Sequence, residues 1–176
     1  MDNYGDNVSG SSARRKIRVR WYHDLMRQVD SPLLEFKVKR GWVGWKENYP
    51  FPSFTFDEGF TARRLQQLVR ESTLPPRVKE TLAGHRLVLV NRYLREYYST
   101  RDNRFRVTID SDLIFYRTAV LSNSLSVREV DHGVVVVELK YDSENEREAD
   151  RVSSRFPFRV TRSSKYIQGL ERFFDY

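Results

Sequence analysis

The chain has 176 residues, with 31 Lys+Arg against 24 Asp+Glu and a formal net charge of +7. This length suits one domain, and the cationic excess favours an anionic partner such as nucleic acid, a phosphorylated ligand or a membrane surface. The absence of cysteine excludes disulfides, thiol nucleophiles and cysteine-bound zinc. Ten Tyr and eleven Phe fit a β-rich structure. The apolar runs are too short to span a bilayer and no secretory signal is visible, so the expectation is a soluble cytoplasmic domain without a membrane segment.

Residues 1–14 are rich in Gly, Ser, Asn and Asp and read as a flexible leader to a single domain over 15–176. Lys16, Arg18, Arg20 and Tyr22 alternate with Ile17, Val19 and Trp21, the period of a strand. Asp30-Ser31-Pro32 makes a turn, and Leu33–Lys39 forms the second half of an antiparallel pair, with Glu35, Lys37 and Lys39 on one face. Gly41 to Phe56 mixes Trp, Gly and Pro and reads as irregular. Thr61 to Glu71 spaces Leu65, Leu68 and Val69 for a helix capped by Thr61. Pro75-Pro76 starts a short second helix that Gly84 closes.

Strands resume at Leu87–Tyr98, with Tyr93, Arg95 and Tyr97 on one face. After a turn at Asp102-Asn103, Arg104 to Asp110 sets Arg104, Arg106, Thr108 and Asp110 against Phe105, Val107 and Ile109. Leu113–Arg117 reads as a further short strand. The stretch Val134–Tyr141 puts Glu138 and Lys140 on one face with Val134 and Val136. Helices are expected at Ser143–Ser154 and Ser163–Phe174, with Pro157 between them.

The polar faces of these strands carry mostly Arg and Lys rather than the Thr, Ser and Gln of an ordinary solvated sheet. A concentrated cationic face repels itself, and a polyanion offsets that cost. Arg suits phosphate because its planar fork makes paired charge-assisted hydrogen bonds. If the sheet curls, these side chains converge on a polar lumen and the helices cover the apolar outside. Glu138 among so many cations is either a ligand for a hard cation that bridges phosphate oxygens or the salt-bridge partner of a neighbouring arginine. Taken alone, the residue favours the salt bridge. No phosphate-binding glycine loop or dinucleotide fingerprint is present, and His23, His85 and His132 have no metal-ligand spacing. Ser163 reads as a helix N-cap rather than a nucleophile, since no histidine stands near to activate it. Chemistry that needs only positioning and charge, such as phosphoryl transfer, fits this inventory.

Several segments together resemble the polyphosphate polymerase (VTC) domain of the triphosphate tunnel metalloenzyme, or CYTH-like, superfamily. They are Lys16-Ile-Arg-Val-Arg-Trp-Tyr22, Leu34-Glu-Phe-Lys37, Arg92-Tyr-Leu-Arg95, Phe105-Arg-Val-Thr-Ile-Asp110, Val137-Glu-Leu-Lys140 and Ser164-Lys-Tyr-Ile-Gln-Gly169. The resemblance implies an α+β fold: an antiparallel β-barrel, or tunnel, with a basic interior and helices packed outside. It implies Mn²⁺- or Mg²⁺-supported transfer of the terminal phosphoryl group of ATP to a polyphosphate chain. By motif, Arg18, Arg20, Lys37, Arg95 and Arg106 would be the catalytic cations. Tyr93, Lys140, Arg162, Ser164, Lys165 and Lys46 would bind substrate, and Glu138 would hold the metal. The start of the last helix favours phosphate on its own account.

The family's pattern has two strands ahead of the Lys16 strand that this sequence does not show. The expectation is therefore a barrel incomplete at its N-terminus, with open sheet edges that invite self-association. Three functions stay open at this stage: a polymerase, a triphosphate or nucleoside triphosphate hydrolase using the same residues, and a non-catalytic polyphosphate-binding module. The partners expected are ATP and inorganic polyphosphate. Specific nucleic-acid binding is not expected, because the aromatics fall mainly on the apolar faces.

Overall fold

The computed structural model describes residues 13–40, 43–118 and 128–173. It is a mixed α+β fold of antiparallel sheets and helices. The described residues fall into two compact units, residues 13–40, 43–88 and 117–118 in one and 89–116 and 128–173 in the other. The N-terminal residues 1–12 lie outside the described residues, and so do Gly41, Trp42 and Phe174.

The first unit is built on a three-stranded antiparallel sheet in the order β1 (Ala13–Arg20), β3 (Leu33–Arg40), β4 (Val43–Pro50). The expected pair is present, with Arg18 opposite Glu35 and Lys16 opposite Lys37. Within the segment expected to be irregular, Val43–Pro50 is instead strand β4, paired with β3 along its whole length, Val38 to Trp45 and Lys37 to Lys46. Its alternation of Trp45, Glu47 and Tyr49 against Lys46 and Asn48 satisfies a two-residue period that the Gly and Pro content obscures. Two short strands, β2 (Arg27–Val29) and β5 (Phe54–Phe56), pair separately and carry too few residues to show a period.

One face of the three-stranded sheet is apolar: Leu34, Phe36 and Val38 are all buried. An aromatic cluster continues this core, with Phe54 and Phe60 ring centroids 4.9 Å apart and Trp21 5.2 Å from Phe56. Helix α1 (Ala62–Glu71) is capped as expected: the Thr61 hydroxyl accepts from the Arg64 amide at 3.2 Å. Helix α2 (Pro76–Ala83) has proline at its first turn and ends at Gly84. Leu68, Val69, Leu74 and Val78 are the buried residues of these helices and their connection.

The second unit centres on β7 (Phe105–Arg117), one continuous strand where two were expected. Asp112 sits within it at a φ of 51°, a conformation for which a short polar side chain is suited. Here β7 changes partner, from β9 (Val136–Tyr141) up to Asp110 to β8 (Arg128–Asp131) from Leu113 onward. Strand β6 (Leu89–Ser99) is its other neighbour. The valine run enters β9 only at Val136, and Val134 and Val135 are exposed before it. A 3₁₀ turn over Ser143–Asn145 leads into α3 (Glu146–Ser153), which packs against β9. Helix α4 (Lys165–Phe173) packs against β6. At Gly169 the absent Cβ lets the helix backbone approach: a Cβ there would stand 2.6 Å from Leu89 Cδ2 and 2.7 Å from Phe115 Cδ1.

Candidate functional site

Opposed residues of an antiparallel pair share a face, so register alone decides which charges meet. In the first unit, Lys16 of β1, Lys37 of β3 and Lys46 of β4 form one row across all three strands. The neighbouring row is Arg18, Glu35 and Asn48. Glu35 is buried, and its carboxylate takes Arg18 Nε on one oxygen and Arg20 Nη2, at 3.0 Å, on the other. Glu35 therefore fixes the two arginines, while Arg18 keeps about half of its side chain exposed. Lys37 and Lys46 are exposed and make no ion pair with a carboxylate among the described residues.

The second unit repeats the arrangement. Arg106 of β7 stands opposite Lys140 of β9, Thr108 opposite Glu138, and Asp110 opposite Val136. From β6, Arg95 reaches onto the same face and donates twice to Asp110, Nε to Oδ1 at 2.5 Å and Nη2 to Oδ2 at 2.7 Å. Lys165, the first residue of α4, meets Asp110 Oδ2 at 2.5 Å and lies 4.8 Å from the Tyr93 ring centroid. The N-terminus of α4 is thus brought over the polar face. The reason is the ion triad: Asp110 is 1 % exposed and needs two cations to balance its loss of water. Burial pushes the Asp110 carboxyl up, and the hydrogen bonds from Arg95 and Lys165 outweigh it, leaving the group below the usual carboxylate range. The same bond to Asp110 holds Arg95 above its usual range against the effect of burial. The same unit carries an open cleft of about 310 Å³, lined among others by Tyr97, Asn103, Arg106, Thr108 and Lys140.

These faces collect the residues that the sequence singled out, four cations on one sheet and Tyr93, Arg95, Arg106, Glu138, Lys140 and Lys165 on the other. A family model for the VTC domain matches residues 1–174. The chain belongs to the VTC domain family. A comparison with curated proteins returns no match. Membership ties the chain to polyphosphate chemistry at the level of the family.

Within this VTC domain the remaining expected residues are less engaged. Arg162 is exposed in the segment before α4. Ser164, not Ser163, stands immediately before the helix, and its carbonyl accepts from Gln168 N at 3.0 Å. Glu138 is half exposed and pairs with Lys140 at 3.2 Å, so its salt-bridge partner is a lysine rather than an arginine. Among the described residues no group of three or more His, Asp or Glu side chains could hold a metal ion. The donor set of this VTC domain does not fit an all-protein cage. A hard cation such as Mg²⁺ is commonly held through only one or two protein carboxylates, and Glu138 would be the one here. Among the described residues no helix is long and apolar enough to cross a membrane.

Two carboxylates and a hydroxyl escaped the sequence reading as site residues. Glu35, Asp110 and Thr108 each looked like one polar position in an alternating strand. Their signal was present: on the same strand face Glu35 sits two residues from Lys37, Thr108 two residues from Arg106, and Asp110 four residues from Arg106.

Proposed function

We propose that this domain is a polyphosphate polymerase, transferring the terminal phosphoryl group of ATP to a polyphosphate chain with Mn²⁺ or Mg²⁺. The observation that carries this reading is the in-register stacking of like charges, Lys16–Lys37–Lys46 on one sheet and Arg106–Lys140 on the other. Directly opposed like charges destabilise a sheet. Such rows are tolerable where a bound polyanion offsets the repulsion. An antiparallel β-barrel with a basic interior is part of this proposal.

Phosphoryl transfer asks little covalent chemistry of a protein; it asks for alignment and for charge stabilisation on the transferring group. Arg95 is suited to that task because Asp110 holds its guanidinium in a fixed plane. Arg18 and Arg20, braced on Glu35, would clamp phosphate oxygens in the same pre-ordered manner. Lys37, Lys46 and Arg106, without carboxylate partners among the described residues, would track the chain, and Lys140 would join them when Glu138 turns to the cation. A divalent ion, when bound, neutralises charge on the phosphates and favours their in-line approach. The residue that would hold it is Glu138.

The test is incubation with ATP and Mn²⁺ followed by product analysis. Growth of a polyphosphate chain that is lost in Glu138→Ala and Arg18→Ala supports the proposal. Release of orthophosphate without chain growth assigns hydrolysis instead. Activity indifferent to both substitutions removes the site.

A further inference from the structure

Among the described residues three buried side-chain polar atoms lack a partner, and one of them is Thr108 Oγ1. Thr108 is 4 % exposed and lines the cleft beside Arg106 and Lys140. Its strand neighbour on the same face, Asp110, has no oxygen to spare, since Arg95 takes both and Lys165 shares one. Glu138, directly opposite, is drawn to Lys140. A buried hydroxyl left unpaired costs more than the net worth of an ordinary hydrogen bond, and valine has the same shape without that cost. The strand therefore carries a hydroxyl where packing alone would favour a methyl. The two cations flanking it, Arg106 on its own strand and Lys140 across, select an oxygen-bearing anion as the missing partner.

We propose that Thr108 is a phosphate-binding residue, its hydroxyl donating to a phosphoryl oxygen held between Arg106 and Lys140. The inference rests on the proposed polyphosphate reading and adds the floor of one phosphate position to it. The geometry gives the hydroxyl a role distinct from that of the cations. Arg106 and Lys140 attract any anion at range, whereas Thr108 rewards only an oxygen that has descended into the cleft. It therefore sets how deeply a phosphate sits, and with it the register of the chain along the face.

The test uses Thr108→Val, which keeps the branched shape and removes the donor, and Thr108→Ser, which keeps the donor. Tripolyphosphate binding is measured by calorimetry, and thermal unfolding is followed without ligand. The expected signature is opposite in sign for the two measurements. Thr108→Val unfolds at the same or a higher temperature than wild type, yet binds tripolyphosphate about ten- to hundredfold more weakly, the value of a hydrogen bond to a charged group. Thr108→Ser stays close to wild type in binding. If Thr108→Val binds as wild type does while Arg106→Ala is weakened, the hydroxyl serves only a water molecule and the inference falls alone. Equal losses in Thr108→Val and Thr108→Ser would assign the effect to packing and also overturn it. Failure of the wild type to bind tripolyphosphate overturns both this inference and the polyphosphate reading.

Discussion

Asp110 has almost no accessible surface, yet its two oxygens meet the guanidinium of Arg95 and the ammonium of Lys165. Removing its charge leaves two largely buried cations uncompensated, a change that typically costs about 3–5 kcal/mol. Asp110→Asn is therefore expected to unfold at markedly lower denaturant than wild type. The pH dependence follows from the depressed carboxyl. A group whose folded pKa is lowered adds stability above its ordinary range and loses it as pH falls through the folded value. Urea unfolding at neutral pH and again well below pH 4 should show wild type losing this increment while Asp110→Asn loses less. Equal acid sensitivity in the two proteins would mean that the triad does not couple to folding. At this scale the cations were legible because alternation exposes them: Arg18, Lys37 and Arg106 each occupy the polar phase of a strand. The partners were not, because Asp110 meets Lys165 only through the packing of a distant helix.

At the scale of elements, α4 depends on a missing side chain. Phe115 is fully buried and cannot retreat from a Cβ at Gly169, so Gly169→Ala should lift the helix from β6 and β7. Overpacking of this kind costs about 1–3 kcal/mol. The expected readout is a lower melting temperature together with faster amide exchange in α4. An unchanged melting temperature would contradict the close approach. The sequence marked β1, β3, β6 and β9 because each keeps a two-residue period, and α1 because Thr61 and the leucine spacing agree. It missed β4, whose glycine and proline mimic a loop, and β2 and β8, which are too short for any period. The splitting of β7 into two expected strands has a definite cause. The positive φ at Asp112 breaks the alternation without ending the strand.

At the scale of the molecule, the net charge of +7 is not spread evenly, because register stacks lysine on lysine and arginine on lysine on one face of each sheet. Composition announced an anionic partner, and only the register distinguishes ordered rows from a diffuse basic surface. The division into two compact units left no mark in the sequence, since no linker-like composition separates residues 88 and 89. A row of fixed cations should prefer a flexible chain of closely spaced phosphates over a nucleic acid, whose phosphates are set farther apart by sugars. Titration of polyphosphate against single-stranded RNA of equal charge, at two salt concentrations, tests this most directly. The account expects polyphosphate to bind more tightly at both, with affinity falling as salt rises and with a shallower salt dependence in both Lys37→Ala and Arg106→Ala. RNA binding as tight as polyphosphate, or salt dependence unchanged by both substitutions, would contradict it.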